Sequence, residues 1–353
     1  MANIFDYLQW RGDLTFTQDP PNEVDALIFS GLSYIRFGAQ LQEMQENPMT
    51  LQEASAIFFA QENYETCCRI QKDIDLLEAA AGTRRFGSCH LCMYRDLLIP
   101  EQETQFAAMT FLLDDGSMFL TFRGTDNSLV GWKEDFNMTF QQTIPAQRLA
   151  LQYTREAALE YLRPMRICGH SKGGNLAVFA AARSSPMIQQ RILDIYNNDG
   201  PGFTQYLMGD PGYVAMVPRI KTYVPQSSII GMLLEHEEPY TVIRSKSIGL
   251  LQHDLYTWDV LGKAFIPVEE ITESSQFVDT TIKTWFAEMT NREREQLVDV
   301  MFALLGSSGA DNIYDLIHPR NLKTYIRTLS SDEHLRRVLS TEFTGLLEAA
   351  RKT

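Results

Sequence analysis

The chain has 353 residues, enough for one sizeable hydrophobic core with further elements around it. Its 45 acidic and 31 basic residues give a formal net charge of −14 at pH 7, which argues against nucleic acid and other polyanions as partners. No apolar run approaches the roughly 18 residues that a membrane span needs, so no spanning helix is predicted.

The first hundred residues are predicted to be mostly helical. Asn22 precedes apolar residues whose spacing of three and four defines one face of a helix over residues 24–35. Thr50-Leu51-Gln52-Glu53 has the capping-box pattern that opens a helix, and helical spacing returns over residues 74–82. We therefore expect an N-terminal helical layer over residues 1–104.

A β-sheet is predicted to begin at Phe106. Two apolar, β-prone runs flank an Asp-Gly pair of the kind that closes tight hairpins, and short buried strands then alternate with helices. The predicted strands are 106–113, 118–122, 165–168, 192–196, 220–224 and 240–244, and the helices between them are 147–162 and 175–182. This alternation predicts an α/β fold, a mostly parallel sheet with helices on both faces, over residues 105–271.

The pattern returns to helix from about residue 272. Thr290-Asn291-Arg292-Glu293 is another capping box, and Gly306-Ser307-Ser308-Gly309 marks a break. We expect a C-terminal helical appendage over residues 272–353.

The cysteines and the first residues bear on the compartment. Five cysteines are an odd number, which fits a reducing environment better than a disulfide framework. The chain opens without a basic segment followed by an apolar core, so a cytoplasmic location is expected. Cys67-Cys68 and Cys89-His90-Leu91-Cys92 are an incomplete zinc signature, and we expect ordinary buried or surface thiols instead of metal ligands.

The strongest chemical signal is Gly169-His170-Ser171-Lys172-Gly173, which lies between a predicted strand and a predicted helix. A serine hydroxyl acts as a nucleophile only where it projects towards a substrate and a base removes its proton. Small residues on both sides permit the cramped turn that exposes the serine at a helix N-terminus. Ser171 is therefore the predicted nucleophile, and the alternative is an ordinary glycine-rich turn.

A second signal lies upstream in Phe122-Arg123-Gly124-Thr125, at the end of a predicted strand. Acyl transfer needs amide N–H groups directed at the developing oxyanion, one after the nucleophile and one from an earlier loop. Lys172 and Thr125 are the predicted donors. For Arg123 and the nearby Trp132, a structural ion pair and core packing are the respective alternatives.

These residues carry a family resemblance. The Phe-Arg-Gly-Thr segment with the following Trp132 and Asp135, together with the segment from Gly169 to Ala177, resembles the class-3 lipases over residues 105–260. The whole chain resembles a bacterial lipase-like branch of the α/β-hydrolases. The resemblance implies an ester or thioester substrate, no cofactor, and a catalytic triad in the chain order serine, acid, histidine.

Four histidines follow Ser171 and are candidates for the base. His236 lies in a charged stretch typical of a solvated face, His318 precedes a proline, and His334 follows a helix-start pattern. His253 comes after the last predicted strand, where a general base belongs. We therefore expect His253 to be the base.

The acid departs from the family pattern. The resemblance places it just after the strand at 220–224, but residues 225–229 contain no carboxylate. Asp199, one strand earlier, is the best remaining candidate, and Ser228 is the alternative at the family position. Asp199 also lies in an Asn-Asp-Gly-Pro turn, which gives it a purely structural alternative role.

The sequence thus predicts a serine hydrolase of lipase or carboxylesterase type that acts on a small or lipid-like ester. A thioesterase or peptidase of the same fold stays open, because the serine motif does not encode the leaving group. A non-catalytic binding protein that retains the fold is the alternative from another class.

Overall fold

The computed structural model describes residues 2–38, 48–309, 316 and 319–353. An eight-stranded β-sheet runs through it, with the strands side by side in chain order. The strands are β1 (Met49–Thr50), β2 (His90–Ile99), β3 (Thr104–Leu112), β4 (Met118–Phe122), β5 (Met165–His170), β6 (Ile192–Asn198), β7 (Ile220–Pro225) and β8 (Tyr240–Ile243). Strands β1 to β4 pair antiparallel, and β4 to β8 pair parallel. A separate two-stranded hairpin joins β9 (Val260–Leu261) to β10 (Ala264–Phe265).

Helices cover both faces of the sheet, as the alternating pattern predicted. The first face carries α1 (Ile4–Arg11), α2 (Glu23–Leu32), α3 (Leu51–Phe59), α4 (Gln71–Ala81) and α5 (Arg84–Gly87). The second carries α7 (Pro145–Glu160), α8 (Lys172–Arg183) and α10 (Pro211–Met216), with the short α9 (Pro186–Gln189) between them in the chain. Because strand side chains alternate between faces, Phe119 and Cys168 join the first core while Leu120 and Ile167 join the second.

The predicted helix starts of the N-terminal layer are confirmed. Asn22 caps α2 and Thr50 caps α3, each through a complete capping box. A buried ion pair fastens the layer together: the Arg85 guanidinium donates to both carboxylate oxygens of Asp25, at 2.8 and 2.6 Å. Both side chains are fully buried. The layer is therefore a part of the fold packed on the sheet.

The prediction that the first hundred residues are mostly helical is wrong for β2. Its Cys92 and Arg95 flank a register shift against β3, and Met93 between them has a left-handed backbone with φ of 53°. Such a bulge breaks the period-two alternation by which a strand is recognised in sequence. The sheet accordingly begins before Phe106, at β1.

The C-terminal segment forms four helices in the described residues, α11 (Glu273–Glu288), α12 (Asn291–Gly306), α13 (Pro319–Ser331) and α14 (Glu333–Lys352). Helix α12 lies against α6 (Leu129–Asn137): the rings of Phe302 and Phe136 are 5.8 Å apart, and Lys133 pairs with Asp299 at 2.8 Å. Contact with α6 places this segment beside the loop that follows β4. The three-part division at residues 104 and 271 stays a prediction. None of the helices in the described ranges is both long and apolar enough to span a membrane.

Candidate active site

Ser171 occupies a sharp turn between β5 and α8. Its φ of 59° and ψ of −134° lie in a region that non-glycine residues adopt at a cost of about 1–3 kcal/mol. The flanking glycines explain how the turn fits: a Cβ on Gly169 would lie 2.1 Å from the carbonyl of Gly173, and one on Gly173 would lie 2.1 Å from the carbonyl oxygen of Phe122. The predicted nucleophile turn is therefore present, with its strained serine.

Asp199 and His253 form a hydrogen-bonded pair at the same edge of the sheet. The His253 Nδ1 is 2.6 Å from Asp199 Oδ2. Asp199 follows β6 directly, has a left-handed backbone with φ of 54°, and is fully buried. Its amide donates to the carbonyl of Tyr223 on β7, which fixes the turn. The two residues singled out in the sequence as acid and base are thus in contact.

Ser228, the alternative acid position, contacts the same carboxylate. Its hydroxyl donates to Asp199 Oδ1 at 2.5 Å and accepts the Gly231 amide N–H at 3.0 Å. A Cβ on Gly231 would lie 2.2 Å from Asp199 Oδ1, so only glycine fits there. Asp199 therefore has a hydrogen-bond partner on each oxygen, and the Ser228 hydroxyl is one of the two.

His253 ends a 3₁₀ turn, Gly249–His253, and two side chains hydrogen-bond to the backbone carbonyls of this turn. The indole N–H of Trp258 donates to the carbonyl of Gln252 at 2.9 Å, and His170 Nε2 lies 2.8 Å from the carbonyl oxygen of His253. The His253 side chain is one-quarter exposed. Within the described residues, neither its Nε2 nor Ser171 Oγ has a hydrogen-bond partner. Hydrogen bonds of catalytic pairs are often long in free enzymes and shorten when substrate binds.

Thr125 lies in the loop after β4, and its hydroxyl donates to Asp135 Oδ2 of helix α6. Burial raises the pKa of Asp135 to about 6, against the opposing effects of Lys172 and of the Thr125 hydroxyl. In the described part of the chain, the amides of Thr125 and Lys172 make none of the backbone hydrogen bonds found in the loops and caps. Both predicted oxyanion donors thus border the nucleophile turn.

The side chain of Lys172 points into the protein and ties α6 to the nucleophile turn. Its ammonium group donates to Glu134 Oε2 at 2.9 Å and to the side-chain oxygen of Gln105 at 2.8 Å, and Lys172 and Glu134 are almost fully buried. Arg123 is likewise buried and forms a bidentate pair with Asp96, which agrees with the structural interpretation considered for it. Both ion pairs brace the loop that carries Thr125.

The Mbeg1-like family model matches residues 80–303 of this chain. The chain belongs to the Mbeg1-like family. This match, with the parallel sheet and the serine turn, confirms the predicted lipase-like α/β-hydrolase fold. Assignment to a bacterial branch stays a prediction. No curated protein matches the chain in sequence.

The Mbeg1-like chain is also similar to solved lipase structures. A mutant form of MDLA from Penicillium cyclopium is 14% identical, with 70% of this chain and 85% of that one covered and a TM-score of 0.37. M37 lipase is 12% identical, with 72% of this chain and 83% of that one covered and a TM-score of 0.38. The Rhizomucor miehei lipase propeptide complex is 12% identical, with 69% of this chain and 81% of that one covered and a TM-score of 0.36.

The other histidines of this Mbeg1-like chain differ in their surroundings. The charged neighbours of His236 suggested a solvated face, and this prediction is wrong. Its Nδ1 is hydrogen-bonded to Glu238 at 3.0 Å and its Nε2 to the Gly231 carbonyl at 2.8 Å. Glu238 is itself buried and also accepts hydrogen bonds from Tyr213 and Thr222, which the local sequence does not reveal. His334 lies 3.4 Å from Gln296 in the C-terminal helices, and His318 lies outside the described residues.

The cysteines considered as zinc ligands have other contacts. The thiols of Cys89 and Cys92 donate to the carbonyls of Arg85 and Thr110. Among the residues that the structure describes, no group of three or more potential ligands is placed to hold a metal ion.

Two residues that the sequence analysis did not assign to the site belong to it. His170 contacts His253, and Tyr34 of the N-terminal layer contacts His170. The position of His170 inside the Gly-x-Ser-x-Gly motif was a sequence signal that it lies at the site. Tyr34 offered none, because it lies 136 positions from its partner.

Proposed function

We propose that this protein is a serine hydrolase that cleaves carboxylic esters through an acyl-enzyme on Ser171. The hydrogen bond between Asp199 and His253, beside the strained serine turn, is the observation that carries the proposal. A buried carboxylate on Nδ1 fixes the imidazole tautomer, which leaves Nε2 as the proton acceptor. The same carboxylate stabilises the imidazolium that forms when the serine is deprotonated.

The proposed reaction has two halves. In the first, His253 Nε2 takes the Ser171 proton, the serine oxygen attacks the ester carbonyl carbon, and the amides of Thr125 and Lys172 donate to the oxyanion. The alcohol leaves with the proton that His253 held. In the second, His253 deprotonates a water molecule that attacks the acyl carbon, and Ser171 departs with that proton.

The surface beside the base supports a lipid-like ester as the substrate. Ile248, Leu250 and Leu251, just before His253 in the chain, are 79%, 61% and 67% exposed. Exposed apolar side chains in a group mark places where apolar partners bind. We therefore propose lipase-like carboxylesterase activity in a cytoplasmic protein, with thioester or peptide cleavage as other outcomes of the substrate test.

The non-catalytic alternative rested on the absence of a carboxylate after β7 and on the helical segments at both ends of the chain. Asp199 supplies a carboxylate directly after β6 and contacts His253, which favours an enzyme. The two classes predict different results with a fluorophosphonate probe, which phosphonylates an activated serine.

The experiment compares the wild-type protein with Ser171→Ala. Labelling that is lost in Ser171→Ala supports the enzyme, and no labelling of folded wild-type protein refutes it. A series of p-nitrophenyl esters of graded chain length then tests the substrate. Rates that rise from acetate towards longer chains support a lipid-like ester, and rates highest for acetate contradict it.

A further inference from the structure

His170 joins the nucleophile turn to the turn that carries the proposed base. It is the residue before Ser171, it is fully buried, and its Nε2 lies 2.8 Å from the His253 carbonyl oxygen. The two imidazole rings lie close together, with centroids 4.6 Å apart and planes tilted by 34°. A hydrogen bond from the His170 side chain to the His253 backbone therefore links the turn of the proposed nucleophile to the turn of the proposed base.

The hydrogen-bond partners define the protonation state of His170. A carbonyl oxygen only accepts, so Nε2 must carry a proton and donate it to His253. Burial, with smaller effects from His253 and Arg69, lowers the pKa of His170 well below its ordinary value, so the ring is neutral. Its Nδ1 is then an acceptor, and the Tyr34 hydroxyl 2.8 Å away is its donor.

Tyr34 is itself fixed by its surroundings. The guanidinium of Arg69 lies over its ring at 4.1 Å, and burial raises the pKa of its hydroxyl, so it stays a donor. Its hydroxyl would lie only 2.3 Å from a Cβ on Gly124, in the loop that carries Thr125. Tyr34 thus reaches the oxyanion loop and His170 at once.

We propose that His170 is a positioning residue that sets the place of the His253 ring relative to Ser171 through the His253 carbonyl. This inference rests on the proposed function. The strained nucleophile turn fixes Ser171, whereas His253 lies on a turn whose preceding residues are exposed and apolar. The donation from His170 Nε2 joins the two directly. Displacement of a reacting group by about 1 Å costs on the order of 10²-fold in rate, so a fixed distance matters here.

Two amide substitutions separate the bond to His253 from the bond to Tyr34. Glutamine places its side-chain N–H near the Nε2 position of histidine, so His170→Gln keeps the donation to the His253 carbonyl. Asparagine is shorter and places its oxygen near Nδ1, so His170→Asn keeps the acceptor for Tyr34 and loses the donation. The pair is matched in polarity and differs in which bond survives.

The rate of fluorophosphonate labelling is the main readout, with the melting temperature as a check on folding. We expect His170→Asn to label about 10²-fold more slowly than wild type and His170→Gln to recover to within about 5-fold. Tyr34→Phe removes only the Nδ1 donor and is expected to cost less than about 5-fold. Equal losses in folded Asn and Gln variants, or no loss in His170→Asn, would overturn the proposal.

Nitrogen-15 NMR of the histidine side chains gives a readout that does not depend on catalysis. We expect wild-type His170 to be a neutral Nε2–H tautomer, and Tyr34→Phe to shift its Nδ1 resonance alone. A neutral Nδ1–H tautomer or an imidazolium at pH 7 contradicts the positioning role even in a labelled enzyme. Absence of labelling with the expected tautomer instead counts against the proposed function, so the two failures are distinguishable.

Discussion

Asp199→Asn is the substitution that tests the proposed acid most directly. Ser228 accepts the Gly231 amide N–H, so its own proton is directed at residue 199. An asparagine there turns its oxygen towards Ser228 and its NH₂ group towards His253 Nδ1. The histidine then accepts at Nδ1 and carries its proton on Nε2, which is the wrong tautomer for removing the Ser171 proton.

The expected loss combines this tautomer change with the loss of charge. A comparable carboxylate-to-amide change in a serine protease lowers kcat about 10⁴-fold. We expect kcat for a p-nitrophenyl ester to fall at least ~10²-fold, which is about 2.7 kcal/mol of transition-state stabilisation. Ser228→Ala removes one donor to a carboxylate that stays charged, and should cost less than ~10-fold.

The double variant Asp199→Asn/Ser228→Ala sharpens the test. Without the Ser228 hydroxyl, the new amide is free to turn its oxygen to His253 Nδ1. The double variant is therefore expected to be more active than Asp199→Asn alone, measured as kcat in the same assay. A larger loss in Ser228→Ala than in Asp199→Asn would refute the assignment of the acid, and an additive double variant would refute the tautomer argument.

Four further predictions concern the serine turn and its supports. Ser171→Ala should abolish ester hydrolysis at an unchanged melting temperature, whereas Ser171→Gly should raise the free energy of unfolding by about 1 kcal/mol because glycine relieves the positive φ; urea denaturation measures this. His253→Ala should lower kcat nearly as far as Ser171→Ala, and the double variant should be little worse, since members of one catalytic unit are non-additive. The pKa of Asp135 is raised to about 6, so the stability that it contributes is present below its unfolded value of 3.8 and is lost as the pH rises through 6. The free energy of unfolding of Asp135→Asn, relative to that of wild type, should therefore rise by about 2 kcal/mol between pH 4 and pH 8 in denaturation curves. A difference in the free energy of unfolding that stays constant over this range would contradict the raised pKa. Lys172→Met should destabilise the fold by about 3–5 kcal/mol by leaving Glu134 buried without its cation, and adding Glu134→Gln should restore part of that loss.

Most of the fold could be predicted from patterns within short stretches of the sequence. The hairpin of β3 and β4, the strand–helix alternation and the capped starts of α2, α3 and α12 follow from neighbours within a few residues of one another. The nucleophile turn is of the same kind, because its glycines and the strand and helix around it are contiguous. Such features are set by short-range sterics and hydrogen bonds.

Features that depend on distant contacts were not predictable. The bulge at Met93 hid β2, and the burial of Glu238 depends on Tyr213 and Thr222, which lie 25 and 16 positions away. The contact between Tyr34 and His170 joins residues 136 positions apart. Each depends on residues that only the folded chain brings together, so no local window of sequence reveals it.

The position of the acid follows from the geometry of a parallel sheet. Strands β5, β6 and β7 run parallel, so their carboxyl ends meet at one edge, with neighbouring strands about 4.8 Å apart. Moving a carboxylate from the end of β7 to the end of β6 shifts it by one strand towards Ser171. The left-handed backbone of Asp199 gives its side chain a different direction from an extended residue, and aspartate tolerates that conformation better than most residues. Ser228, at the position that the class-3 resemblance assigns to the acid, then lies within hydrogen-bond distance of the carboxylate. The exchange of strand therefore keeps a polar group at both positions, with the charge on Asp199 and the neutral donor on Ser228.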